Sequence, residues 1–369
     1  MRDRSVPVVD SGKFCIFASL ALAAGLSLLS AAALADDGDD AALLAKAREA
    51  FPTLPRDAAT EGHPVTPERV RLGRMLFFDT RASSDGTTSC SRCHMPGFQG
   101  CDALPTSIGA KGFVTPRNAA TVFYSALHNS IHWDGRFATV EDQAGAAIGG
   151  PAFGNKGEKE PMDRLKAIPG YEALFRAAFP ADGEPINARN YGTAVGAFER
   201  TLVAPSRFDD YLSGKPEALT QAERAGLRLF LETGCADCHK GPGVGGRSFR
   251  KFGVFSDYRR ATGSKKDDKG RFGVTKKEAD VDVFKVAGLR DVAATPPYFH
   301  DGSVRTLSDA VRIMAKVQLD AELSEADARS IAAFLGSLTG PIPASFVEPT
   351  PLPPAGFVET PAAAPAQGS

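Results

Sequence analysis

Cys90-Ser91-Arg92-Cys93-His94 and Cys235-Ala236-Asp237-Cys238-His239 are two copies of one pattern, Cys-x-x-Cys-His, and their reading decides the fold. Two thiols three positions apart can reach the two vinyl groups of one porphyrin, and the next residue then brings its imidazole under the iron. Each copy is therefore read as an attachment site for covalent haem c. A thioredoxin-like redox pair competes for a single Cys-x-x-Cys, but it has no use for the following histidine. Zinc would require the four cysteines to converge. Their wide separation, each pair behind its own helix, argues against that.

Working outward, each motif is preceded by a similar segment, Gly73-Arg74-Met75-Leu76-Phe77 before the first and Gly226-Leu227-Arg228-Leu229-Phe230 before the second. An internal duplication is the economical reading. Thr66 with Pro67 starts one helix, and Thr220 with Glu223 forms a capping box for the other. A third helix begins near Thr306 and stacks Leu307, Val311 and Met314 on one face; a fourth runs from Glu325 to Leu338, capped by Ser324 and stopped by Gly340. Strand signals are sparse. The expected fold is mainly α, two cytochrome c-like haem domains packed against each other, residues 60–210 and 211–340. The Lys-, Asp- and Gly-rich stretch 263–282 reads as an exposed loop without function.

The ends read differently. Arg2, Arg4 and Lys13 precede an uncharged run from Phe14 to Ala35, closed by Ala33-Leu34-Ala35 and followed by an acidic stretch. This pattern is a secretory signal over residues 1–35, cut after Ala35, which directs the chain to the periplasm. An uncleaved membrane anchor is the rival, since the run approaches the roughly 20 residues of a spanning helix. Residues 36–59 form an N-terminal extension. The Pro- and Ala-rich residues 341–369 cannot build a packed core and are expected to be disordered.

Composition narrows the function. The chain has 369 residues, 43 basic against 44 acidic, for a net charge of −1, which leaves no broad basic field for nucleic acid. Its six cysteines are too few for a small disulfide-stapled fold. Cys101 stands outside both motifs and reads as a small buried filler. Candidates for the sixth haem position are His63, His128, His132, His300, Met75, Met95, Met162 and Met314. Met314 is the best placed, because it follows the second motif on a helix just before the closing helix, as in small c-type cytochromes. His/Met ligation raises a haem's potential and suits electron entry.

With these motifs assembled, the chain resembles the bacterial di-haem cytochrome c peroxidase family, which includes the MauG-type enzymes. The resemblance covers roughly residues 60–340 and rests on Leu76-Phe77-Phe78-Asp79, the first haem motif, Pro116-Arg117-Asn118, Trp133-Asp134-Gly135-Arg136, Gln143, the second haem motif, and Pro297-Tyr298-Phe299-His300-Asp301-Gly302-Ser303. It implies a peroxide-facing haem on His94, an electron-accepting haem on His239 and Met314, and one Ca2+ between them. Asn118 and the backbone carbonyls of Thr295 and Pro297 would hold the ion, as hard oxygen donors. Trp133, the single tryptophan, would bridge the two haems, with Gln143 as a second catalytic residue. His300 would contact the edge of the second haem without ligating iron.

Two positions depart from the family. Where its typical peroxidases carry a distal histidine after Ser-Ile-Gly, this chain has Ser107-Ile108-Gly109-Ala110, and alanine cannot ligate iron. The first haem is then open without reductive activation, as in MauG-type enzymes. Ten residues past Gln143 the family carries a proton-moving glutamate, and this chain has Phe153; Glu158, Glu160 or His132 would have to substitute.

The expected function is reduction of hydrogen peroxide with electrons from a small periplasmic cytochrome c or cupredoxin. A homodimer is left open. MauG-like oxidation of a partner protein shares the open haem, but Met314 stands where that enzyme has a tyrosine ligand. A third reading keeps the fold as an electron carrier or sensor without peroxide chemistry.

Overall fold

The computed structural model describes residues 39–348 and 350–354. The segment read as a secretory signal lies outside the described residues, as do residues 355–369. The chain divides into two units, Met1–Lys46 and Ala47–Ser369. Of the first, the described residues 39–46 are helical. The rest concerns the second.

Its helices are α1 (Pro67–Phe78), α2 (Val140–Ile148), α3 (Lys159–Lys166), α4 (Pro169–Ala178), α5 (Ala188–Glu199), α6 (Arg207–Leu212), α7 (Gln221–Glu232), α8 (Tyr258–Thr262), α9 (Phe272–Thr275), α10 (Leu307–Leu319), α11 (Glu325–Gly336) and α12 (Ala344–Val347). The one sheet among the described residues pairs β1 (Phe249–Lys251) antiparallel with β2 (Val283–Lys285), Phe249 opposite Lys285. The fold is mainly α, as expected. Helix starts sit where the sequence supplies caps: the hydroxyl of Thr66 accepts from the Arg69 amide, Thr220 and Glu223 form the reciprocal box, and Ser324 accepts from the Asp327 amide. Each such cap is worth about 1 kcal/mol.

The helices pack in two groups, α5 against α1 and α2, and α11 against α7 and α10. The duplication read from the sequence is repeated in this packing. A Cβ built at Gly73 would stand 1.8 Å from the carbonyl oxygen of Ala194, and one built at Gly226 would stand 1.9 Å from that of Ser330. Four residues after each glycine comes a buried phenylalanine, and four after each carbonyl comes its partner. Phe77 meets Phe198 at 5.5 Å, and Phe230 meets Phe334 at 5.4 Å between ring centroids. In both halves, then, the helix before the haem motif is pressed backbone to backbone on the later helix, because glycine has no side chain to hold them apart.

Residues 47–59, part of the segment read as an N-terminal extension, are packed: Phe51 is buried against Phe208 and Phe230, at 5.4 and 6.4 Å. Two expectations need correction. The opening of the tail assigned to disorder is packed as well, because Pro343 leads into α12 and Phe346 enters a ring cluster with Phe77, Phe78, Phe123 and Phe198. Arg81 then donates to the carbonyl of Pro353 at 2.9 Å. Composition failed there because one aromatic, worth roughly 1.5–3 kcal/mol when buried, decides the path of a short proline-rich segment. Finally, the 263–282 stretch is stitched to the body. Arg117 donates to both oxygens of Asp268 at 2.6 and 2.7 Å, and Lys266 reaches the carbonyl of Pro116 at 2.8 Å.

Candidate haem centres and the residues between them

Each Cys-x-x-Cys-His opens as a single tight turn, Cys90–Arg92 or Cys235–Asp237, with the histidine amide donating back to the first cysteine carbonyl. Nδ1 of His94 lies 2.9 Å from the carbonyl oxygen of Gly100, and Nδ1 of His239 lies 3.1 Å from that of Ala287. A carbonyl only accepts, so Nδ1 carries the proton and Nε2 keeps the lone pair that an iron needs. Burial holds His94 below its ordinary pKa and takes His239 down to about 4, so both are neutral imidazoles at neutral pH. Gly100 sits at φ 72°, where a side chain is strained, and a Cβ there would press on Thr121 and Val122 at 3.1 Å.

The thiols weigh against the competing readings. Burial pushes Cys90 up to about 12 and Cys235 up to about 11, opposite to the lowered thiol pKa of thioredoxin-like pairs. Among the described residues no group of three or more His, Cys, Asp and Glu side chains could hold a metal ion, so the four cysteines do not converge on zinc. Cys101 is buried, its thiol 3.0 Å from the Phe98 carbonyl, as expected of a filler.

The remaining motifs meet around one aromatic cluster. Phe252, Tyr258, Phe284 and Val317 form its buried part, and Trp133, Phe299, Ile313 and Met314 pack against it. His300 sits inside, stacked on Phe284 at 4.3 Å and edge-on to Trp133 at 6.3 Å. It is buried, and its Nε2 has no hydrogen-bond partner. An orphaned buried nitrogen beside the Met314 cluster fits a polar group that a bound haem would bring.

Trp133 Nε1 donates to the carbonyl of Asn118 at 3.0 Å, and its own carbonyl accepts from the Lys285 amide at 2.8 Å. The Asn118 amide in turn donates to the carbonyl of His300, and its side-chain nitrogen to that of Leu104, both at 2.8 Å. The carbonyls of Thr295 and Pro297 accept no hydrogen bond among the described residues.

Asp134 is held by Arg117 at 2.6 Å and Arg136 at 2.9 Å, which keep its carboxyl below the usual range against the cost of burial. Arg117 thus ties Asp134 to Asp268, a residue the sequence analysis left in a loop.

Gln143 lies half-buried on α2. The loops carrying Ala110 and Phe153 touch: a Cβ at Gly109 would stand 2.3 Å from the Ala152 carbonyl, and one at Gly154 would stand 3.1 Å from the Ala110 Cβ. Phe153 is buried in the apolar core of the first half, with Met162, Leu165 and Ile168. Glu158 and Glu160 are exposed at the start of α3. His132 lies 3.3 Å from Arg136, and burial with that neighbouring charge takes it down to about 3.

Two residues missed by the sequence analysis are His128, seen only as a ligand candidate, and Lys285. Nζ of Lys285 lies 3.1 Å from Nδ1 of His128, and burial lowers the amine to about 8. The His128 ring sits against Gly246 and Gly288, where a Cβ would fall 2.0 and 2.6 Å from it. The glycine-rich run Gly243-Val244-Gly245-Gly246 was the available signal.

Two Cys-x-x-Cys-His sites, built alike in a mainly helical fold, define a di-haem c-type oxidoreductase. Residues 67–217 match the family model described as di-haem cytochrome c peroxidase. The chain is 40% identical over 304 residues to cytochrome c551 peroxidase of Pseudomonas aeruginosa, covering 82% of this chain and 88% of that protein. It is 34% identical over 321 residues to the methylamine utilization protein MauG of Methylorubrum extorquens, covering 84% and 88%. Among solved structures, a MauG-like protein associated with microbial copper homeostasis superposes with a TM-score of 0.68 at 30% identity, covering 81% of this chain and 97% of that one. The chain belongs to the di-haem cytochrome c peroxidase family, and is a peroxidase-type haem oxidoreductase with two c-type haems.

Proposed function

We propose that the protein reduces hydrogen peroxide in the periplasm at the His94 haem, with electrons received from a small cytochrome c or cupredoxin through the His239/Met314 haem. The observation that carries this is the position of Trp133, hydrogen-bonded to Asn118 and packed in the cluster that holds Met314. When bound, the haems supply the one-electron chemistry and an open iron for peroxide. The chain's own part is to hold His94 and His239 neutral with Nε2 free, to keep Trp133 and His300 rigid between the centres, and to leave space at Ala110 where the family has a ligand. Asn118, Thr295 and Pro297 would bind one Ca2+ and so brace the peptide unit on which Trp133 rests. The division into domains 60–210 and 211–340 follows the two helix groups.

Oxidation of a protein partner, after the MauG-like relatives, is a second reading. It is favoured by the open Ala110 position and by the exposed apolar side chains Phe98, Ile108, Phe113 and Val114 around the first motif. Steady-state peroxide turnover with a reduced small cytochrome separates the two. Turnover supports the first reading; its absence, with cyanide binding retained, supports the second.

A further inference from the structure

Charge is distributed unevenly along this nearly neutral chain. Between Arg247 and Lys277 it carries eleven lysines and arginines against three acidic residues, while the whole chain has a net charge of −1. Nine of the eleven basic residues are exposed. The two that are not, Arg259 and Arg271, serve the fold: Arg259 pairs with Asp282, and Arg271 donates to the Asp134 carbonyl and covers the Phe249 ring. Of the three acids, Asp268 is used up on Arg117, Asp257 caps α8 from an exposed position, and Asp267 is exposed beside Lys265 and Lys266 in the sequence. The outward charge of the segment is therefore strongly positive, nine exposed cations against the exposed Asp257 and Asp267, with Glu278 exposed just beyond its far end.

The same segment wraps the aromatic cluster that holds Met314. Phe252 and Tyr258 stack at 4.3 Å in the cluster, and between them the chain turns outward at Val254 and Phe255, which are 57% and 59% exposed. The Phe255 amide donates to the Val317 carbonyl, and the Gly253 amide to the Gln318 side chain. Val317 and Gln318 stand three and four positions beyond Met314, on the same face of α10. An exposed apolar spot on a segment rich in solvated cations thus lies against the helix turn that follows Met314.

We propose that this basic segment, with the exposed Val254 and Phe255 and the solvated Lys251, Arg260, Lys265 and Lys269 along it, is where a small acidic electron-transfer protein docks. The inference rests on the peroxidase reading above and adds the charge of the donor and the place of contact. Clustered like charge speeds encounter with an oppositely charged partner and makes the rate fall with ionic strength, while the apolar centre excludes water once contact is made.

The test uses the holoenzyme with two reduced donors of one fold and opposite charge, mitochondrial-type cytochrome c and its fully succinylated, acidic form. Neutral hydroquinone serves as a non-protein reductant. The acidic donor should give the higher kcat/KM, falling as salt is added. Lys251→Glu, Arg260→Glu, Lys265→Glu and Lys269→Glu combined should lower that value at least tenfold and leave hydroquinone turnover unchanged. Phe255→Ser should weaken both protein donors with no change in melting temperature. A quadruple variant equal to wild type with the acidic donor overturns the proposal. So does a shift from dimer to monomer in sedimentation without loss of donor binding, which makes the patch an interface between copies. If no reductant supports turnover, the peroxidase reading fails instead; docking is then read directly, as calorimetric binding of the succinylated protein to wild type and not to the variant.

Discussion

The indole nitrogen of Trp133 donates to the backbone carbonyl of Asn118 at 3.0 Å, so the single tryptophan and the asparagine of the Pro-Arg-Asn motif form one unit. Asn118 also donates its amide to His300, the buried imidazole edge-on to that tryptophan. The three residues brace one another beside the cluster that holds Met314.

Trp133→Phe keeps a ring and removes the donor. Haem content should stay at two per chain, and peroxide turnover should fall about tenfold or more, equivalent to about 1.4 kcal/mol of barrier. Stopped-flow mixing of half-reduced protein with peroxide checks it; an unchanged rate would remove Trp133 from the electron path.

Gly73→Ala and Gly226→Ala should each destabilise strongly, because a methyl group has no space at 1.8 or 1.9 Å from a carbonyl oxygen and the helices must separate. Overpacking of this kind costs roughly 1–3 kcal/mol or more. Gly336→Ala, with nothing within 4 Å of the added carbon, is the control, and should be neutral or stabilising by up to about 1 kcal/mol. Denaturant midpoints of the three variants decide the matter.

Met314→His should give bis-histidine ligation at the second haem and lower its potential, on the order of 0.1 V within the roughly 0.8 V over which axial ligands act. Spectropotentiometric titration reads the shift. A wave at the wild-type potential would show that another residue ligates.

Asp291 is fully buried; its Oδ1 accepts from the Gly340 amide at 3.0 Å, its Oδ2 has no partner, and burial raises its carboxyl to about 7. The folded pKa lies above the unfolded value of about 3.9, so this group's stability contribution is full below pH 4 and is lost as pH rises through 7. Asp291→Asn keeps the Oδ1 acceptor. It should match wild type near pH 4 and be the more stable protein at pH 8.5, with an upper bound of about 4 kcal/mol. Equal midpoints at both pH values would contradict the shift.

Phe153→Glu places a carboxylate among Met162, Leu165 and Ile168, so it should lower the melting temperature sharply instead of restoring a proton relay. The oxidised wild type should bind cyanide without prior reduction, and Ala110→His should abolish that. Optical titration with cyanide tests both positions.

Much of this was legible in the chain. The two haem motifs, their histidines, the caps at Thr66, Thr220 and Ser324, and the Gly/Phe repeat before each motif are local patterns, set by bond lengths and helix periodicity. Asp268 and His128 escaped because their partners, Arg117 and Lys285, are 151 and 157 residues away in sequence.

By itself the sequence determined what is local: the two Cys-x-x-Cys-His motifs, where helices begin, and the family to which the chain belongs. Only the tertiary structure decided which distant groups share one environment. It buried Phe346 from a segment whose composition reads as disorder, closed Phe153 into an apolar core, and wrapped the basic segment over the cluster that holds Met314. The physical reason is that burial and Coulomb energy depend on neighbours in space, and a backbone that closes to within a carbonyl oxygen at Gly73 and Gly226 chooses those neighbours.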